Sequence, residues 1–111
     1  VSKTDAYYSL KQESLDALAK MDKATRKELL EWCEKSFKPI KSINKKSTTS
    51  YGLKHLFERD EETKASYVSN EEFRGAMIKL GFEHTDDVNM YFNISQKSLN
   101  NLRRRIDNVI V

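Results

Sequence analysis

Cysteine, proline and glycine are all scarce in this chain: one Cys, one Pro and three Gly among 111 residues. A single cysteine, Cys33, excludes an intrachain disulfide and a cysteine metal cluster, which fits a reduced, cytoplasmic setting. Beside Trp32 on an apolar helical face, Cys33 reads as a small buried hydrophobe rather than a reactive thiol. Gly52, Gly75 and Gly81 are too dispersed to form a phosphate-cradling loop. No Ser-centred nucleophile elbow is present. The two histidines, His55 and His84, cannot with one cysteine supply the roughly four N/S ligands of a zinc site. His55 reads as a structural or surface residue and His84 as an exposed turn residue, rather than as partners of Asp86 and Asp87 around a metal. These absences argue against an enzyme, and neither a metal nor a cofactor is expected. No apolar run approaches the roughly 18–20 residues that span a bilayer, so no membrane is expected as partner. The opening VSKTDAYYSL has no apolar h-region, so no signal peptide is expected in it.

What is present is enough for one folded domain. Five Phe, five Tyr and one Trp can seed a core, although charged residues make up 33% of the chain. The charge is unevenly distributed. Val1 to Phe37 is balanced. Lys38 to Phe57 holds Lys38, Lys41, Lys45, Lys46 and Lys54 and no acid. Glu58 to Asp87 is acidic, and Val88 to Val111 is basic again. Such segregation suggests an electrostatic footprint rather than uniform solubilising charge.

The spacing of apolar residues predicts a mainly α protein with a small β-hairpin. In SLKQESLDALAKM, Leu15, Leu18 and Ala19 share one face, and Ser9 with Gln12 fits a capping box. Asp22 reads as a break. In TRKELLEWCEKSF, Thr25 and Glu28 suggest a second capping box, and Leu29, Leu30, Cys33 and Phe37 form an apolar stripe. Pro39 cannot continue that helix. The first 38 residues are thus expected to form an N-terminal helical hairpin. Residues 39–49 are expected to be a basic linker, with Ile40 and Ile43 as anchors. Residues 50–111 are expected to be a winged-helix-like domain.

Within that domain YGLKHLFERDEE is a helix with Thr49 or Ser50 as its cap and an end near Asp60. YVSNEEFRGAMIKLGF is the best delimited element. Ser69 and Glu72 match a capping box, and Val68 with Phe73 a hydrophobic staple. Phe73, Ala76, Met77 and Leu80 keep helical spacing, and Gly81 is placed for a left-handed stop. Gly75, mid-helix, costs about 1 kcal/mol relative to Ala and suggests a close helix approach. MYFNI is a strand candidate, and Gly81–Phe82 with Tyr91–Ile94 is expected to form the small hairpin. Ser95 caps a last helix that buries Leu99, Leu102, Ile106 and Ile110.

TSYGLKHL at Thr49–Leu56, YVSNEEFRGAM at Tyr67–Met77, LGF at Leu80–Phe82 and FNIS at Phe92–Ser95 form a combination that resembles a module of small proteins. Such proteins are carried by phages, plasmids and chromosomal cassettes of Gram-positive bacteria. The resemblance covers about half the chain. It implies an intracellular bacterial setting on a mobile element, whose neighbours typically act in replication, priming or regulation. It is a family label and carries no settled activity.

Two functional readings follow. The first is an accessory protein that binds nucleic acid, single-stranded or duplex, with low specificity, alone or with a replication or priming enzyme. Lys41, Lys45, Lys46, Lys54, Arg103 and Arg104 would neutralise phosphates, and Tyr51, with Tyr67 and Tyr91, would stack on bases. Arg103, Arg104 and Arg105 spread over about 200° of helix, so at most two face one partner. The helix from Asn70 to Leu80 is a poor groove reader, because Glu71 and Glu72 occupy its first turn. The second reading is a protein-interaction module, an inhibitor or subunit that presents the acidic face Glu58, Glu61, Glu62, Glu71 and Glu72. A metal-dependent nuclease at Asp60, Glu61 and Glu62 is outweighed by the ordinary solvation of charge at a helix end. A dimer through the first helix or the apolar Val109–Val111 end is also expected to be feasible.

Overall fold

The structure, a computed structural model, describes residues 3–65 and 67–107, with side chains from Leu10 onward. Among the described residues there are five helices: α1 (Lys3–Ala19), α2 (Lys23–Ser36), α3 (Ser50–Arg59), α4 (Asn70–Lys79) and α5 (Gln96–Asp107). The protein is mainly helical.

α2, α4 and α5 start at side-chain caps, whereas Thr49 precedes α3 without a side-chain cap hydrogen bond. At α4, Ser69 Oγ accepts the Glu72 N–H and the Glu72 carboxylate accepts the Ser69 N–H, the reciprocal pair expected. Val68 and Phe73, on either side of the cap, are both fully buried. At the other end Phe82 N–H donates to Met77 O and Gly81 N–H to Ile78 O. Gly81 has φ of 92°, so this is a complete Schellman stop that a side chain there would strain. At α5, Ser95 Oγ accepts the Ser98 N–H. Ile110 and the Val109–Val111 end lie outside the described residues.

Two expected starts are corrected. α1 begins at Lys3, so Ser9 lies inside it and cannot cap it; Gln12 instead donates to Asp16, one turn on. α2 is capped by Asp22, whose carboxylate accepts the Thr25 N–H. Asp22 thus begins a helix rather than merely breaking one. Glu28, released from capping, accepts the N–H groups of Lys64 and Ala65. The face of α1 also differs: Ser14 and Leu18 are buried while Ala19 is exposed.

α1 lies along α4 because Gly75 lets it. A Cβ at Gly75 would sit 2.2 Å from Ser14 O and 2.8 Å from Leu18 Cβ. Beside it Arg74, only 1% exposed, donates to Ser14 Oγ at 2.8 Å and to Val88 O at 2.7 Å, and its other nitrogen approaches Glu13. Phe73 to Met77 are buried without interruption, so the middle of α4 is enclosed on every side. One apolar cluster runs from Leu18, Leu29 and Cys33 through Trp32 to Phe57, Phe73, Met77 and Phe92. Trp32 meets Phe37 and Phe57 edge to face at 5.5 and 5.2 Å. Each such aromatic contributes about 2–3 kcal/mol by burial.

The strand expected at MYFNI does not form. Among the described residues extended pairing is limited to two isolated antiparallel bridges, His84–Phe92 and Pro39–Ile94. The segment divides its backbone groups between two neighbours. On one side Thr85 N–H donates to Tyr91 O and Asn93 N–H to Glu83 O. On the other, Asn44 N–H donates to Phe92 O and Ile40 N–H to Asn93 O. The Asn93 side chain replaces further rungs, accepting from Glu83 N–H and donating to Ile40 O. Neither side reaches the length of a ladder.

Candidate nucleic-acid interface

The lysine-rich segment after α2 is a strap, hydrogen-bonded along the chain that leads into α5. Lys38 O accepts the Ser95 N–H at 2.7 Å, and Lys38 N–H donates to Ser98 Oγ. Further on, Asn44 Nδ2 donates to Ile94 O and to Gln96 Oε1. The strap ends where Ser50 N–H donates to Met90 O and Ser50 Oγ accepts the Met90 N–H. Hydrogen bonds of backbone and polar side chains, not the apolar side chain of Ile40, anchor it: Ile40, expected to be an apolar anchor, is 41% exposed.

This stitching joins two stretches that lack acids. No Asp or Glu occurs from Lys35 to Phe57, and none from Val88 to Ile106. Lys38, Lys41, Lys45 and Lys46 on the strap are exposed, as are Lys97 and Arg104 on α5, and Arg103 is half-buried. A groove of about 410 Å³ between the end of α2 and the start of α5 is lined by Lys35, Lys38, Lys97 and Arg105, with Ser95 and Ser98 at its floor. Lys35, Lys38 and Lys97 were not among the expected contacts. The sequence signal for them is the length of acid-free chain on both sides of the strap, together with the Ser95 cap that places Lys97 in the first turn of α5.

The arginine triplet divides as its helical spread requires. Arg103 and Arg104 stay outside, with Arg104 donating to Asn101 Oδ1. Arg105 turns inward and donates twice to Asp60, which also accepts from Trp32 Nε1 at 2.8 Å.

Lys54 is placed differently from the other candidates. Its side chain is 5% exposed and its ammonium lies 2.9 Å from Glu58 Oε2. It is therefore part of the packing and presents no cation to a phosphate. Tyr51 and Tyr67 are both exposed around it, and Tyr91 is half-buried. His55 stacks edge-on against Tyr51 and lies 3.1 Å from Glu58 Oε1. His84, half-buried rather than exposed, lies 2.9 Å from Thr85 O.

The acidic candidates do not form one open face. Glu58 accepts from Lys54 and from Val68 N–H. Burial would raise its carboxyl, but these hydrogen bonds and the Lys54 charge hold it below its ordinary value. Glu72 is spent in the α4 capping box and Glu62 pairs with Lys35 and Arg105. Glu61 is exposed and Glu71 half-buried. Cys33 is fully buried, and burial raises its thiol well above the ordinary range. Among the described residues no three His, Cys, Asp or Glu side chains are grouped to hold a metal ion. Among them, too, no helix is long and apolar enough to cross a membrane. No family model, no curated protein and no solved structure matches the chain.

Proposed function

We propose that this chain is a non-enzymatic accessory protein that binds nucleic acid, with low sequence specificity, through the strap and the start of α5. The observation that carries this reading is the hydrogen-bonded pairing of two acid-free stretches. It brings the exposed lysines of the strap alongside the chain that leads to Lys97, Arg103 and Arg104, and neither stretch carries a carboxylate of its own. Glu62, from elsewhere in the chain, pairs with Lys35 and Arg105 at the groove. Such cations attract phosphates and release counterions irrespective of sequence. Lysines act as point charges, without the fork geometry that reads a base, so specificity is low.

On this reading the order α3, α4 and the 84–92 turn is winged-helix-like, but α4 is not the reader. A helix enclosed from Phe73 to Met77, with Glu71 and Glu72 in its first turn, has no face to insert into a groove. The setting on a bacterial mobile element, in the cytoplasm and beside a replication or priming enzyme, comes from the sequence resemblance.

The test is charge reversal. Lys45, Lys46, Arg103 and Arg104 changed together to Glu should weaken binding to short DNA at least tenfold while the helical circular dichroism stays unchanged. Glu61→Lys with Glu71→Lys should leave DNA affinity unchanged or slightly raised. Unaltered affinity in the first variant overturns the reading. A stoichiometric protein partner lost in the second would then favour the acidic face as a contact surface.

A further inference from the structure

We propose that Tyr51 and Tyr67 form a platform on which unpaired bases stack, so that the nucleic acid bound is preferentially single-stranded. This rests on the proposed function and specifies its ligand. Among the described residues few large apolar or aromatic side chains are exposed, and these two are 52% and 66% exposed. Both belong to one cluster around Lys54. The Lys54 ammonium lies 4.6 Å from the centre of the Tyr67 ring and 5.5 Å from that of Tyr51.

The cluster is braced from below. Lys54 is buried and fixed by Glu58, which also holds His55 and the backbone of Val68, next to Tyr67. His55 in turn packs edge-on against Tyr51, with ring centres 4.4 Å apart. Each ring is thus supported by ordered groups and still open to solvent. Side chains ordered before binding lose less entropy when a ligand arrives.

Charge selects the occupant. The Lys54–Glu58 pair is neutral, so attraction must come from beside the rings, and the strap supplies it. Its anchors at Asn44–Phe92 and Ser50–Met90 sit two residues apart on the receiving segment, about 7 Å along it. The intervening turn, with exposed Lys45 and Lys46, bridges these two anchors and ends at Ser50, the residue before Tyr51. At the end of that turn Thr48 packs on the first turn of α3, its Oγ1 filling the space that a Cβ on Gly52 would occupy. Tyr51 directly follows the acid-free strap, whereas Tyr67 comes from the acidic segment. Exposed aromatic faces with cationic chain on the Tyr51 side match a strand whose bases and phosphates are both accessible. In a duplex the base faces are stacked on one another, and a side ring has no access to them.

Fluorescence anisotropy with three labelled probes of equal length tests this: oligothymidylate, an abasic deoxyribose-phosphate strand and a duplex. The wild type should bind oligothymidylate about tenfold or more tighter than the abasic strand. Tyr51→Ala and Tyr67→Ala should each remove about tenfold of the oligothymidylate affinity and leave the abasic and duplex affinities unchanged. Tyr51→Phe and Tyr67→Phe should keep it, since the ring and not the hydroxyl is used. Equal affinity for thymidylate and abasic strands, or Ala variants that match the wild type, would overturn the platform and leave the cationic strap standing. Absence of binding to all three probes would overturn both.

Discussion

Arg105 and Asp60 meet fork to fork: Nη2 lies 2.7 Å from Oδ2 and Nη1 lies 3.1 Å from Oδ1. The pair ties α5 to the end of α3 and neutralises one of three consecutive arginines. Burial would raise the Asp60 carboxyl, but hydrogen bonds from Arg105, Trp32 and the Glu62 N–H outweigh it and hold it at about 2, against an ordinary 3.8. Because the folded value is the lower one, the stabilisation is complete above the unfolded value. It is lost as pH falls from about 4 towards 2.

Asp60→Asn should therefore cost about 2 kcal/mol at neutral pH, and the difference from wild type should shrink towards zero near pH 2. Urea unfolding of both proteins across that range measures it. A pH-independent difference would mean that Asp60 acts through packing and not through its charge.

Gly75→Ala reverses the usual sign of that substitution. In an exposed helix it would stabilise by up to about 1 kcal/mol. Here the new methyl meets the Ser14 carbonyl at 2.2 Å, and backbone cannot step aside cheaply. A loss of about 2–3 kcal/mol is expected, read as a lower urea midpoint. Wild-type stability would show that α1 does not lie on α4.

Those two residues show what could be read in advance. The close approach at Gly75 is visible as a glycine mid-helix beside a small Ala76. Both ends of α4 are equally legible, since Ser69, Glu72 and Gly81 act within a few residues of one another. The false capping box at Ser9–Gln12 shows the limit of such local patterns: a match inside a longer helix has no free end to cap. Thr25–Glu28 failed because Asp22 took the cap and a loop far along the chain claimed Glu28. Partnerships of long sequence separation were not legible at all. They include Asp60 with Trp32 and Arg105, and Arg74 with Ser14. The same holds for the strap, whose composition predicts a linker because its anchors are backbone groups and small polar side chains such as Asn44 and Ser50, which look the same in a solvated loop. In the candidate site Lys45, Lys46, Arg103 and Arg104 stand exposed or half-exposed as expected. Lys54 was misplaced because only packing decides whether an i, i+4 Lys–Glu pair is solvated or buried.

Arg74 should be irreplaceable even by lysine. Its nitrogens reach Ser14 Oγ, Val88 O and Glu13 from one planar group, which a single ammonium cannot match. Arg74→Lys and Arg74→Ala should both lose about 3 kcal/mol, measured by urea unfolding, because lysine would bury an ammonium that cannot span these acceptors and alanine would leave a cavity. A stable Arg74→Lys variant would reduce Arg74 to a simple charge.

The central claim is that cations on the strap and α5 neutralise phosphates, and the most direct measurement is the salt dependence of binding. Fluorescence anisotropy with a labelled single strand should be followed from roughly 50 to 300 mM salt. With about four phosphates neutralised, the logarithm of the affinity should fall against the logarithm of salt with a slope near −3. The variant with Lys45, Lys46, Arg103 and Arg104 changed to Glu should flatten that slope. A wild-type affinity indifferent to salt, or no binding at micromolar protein, would contradict the account.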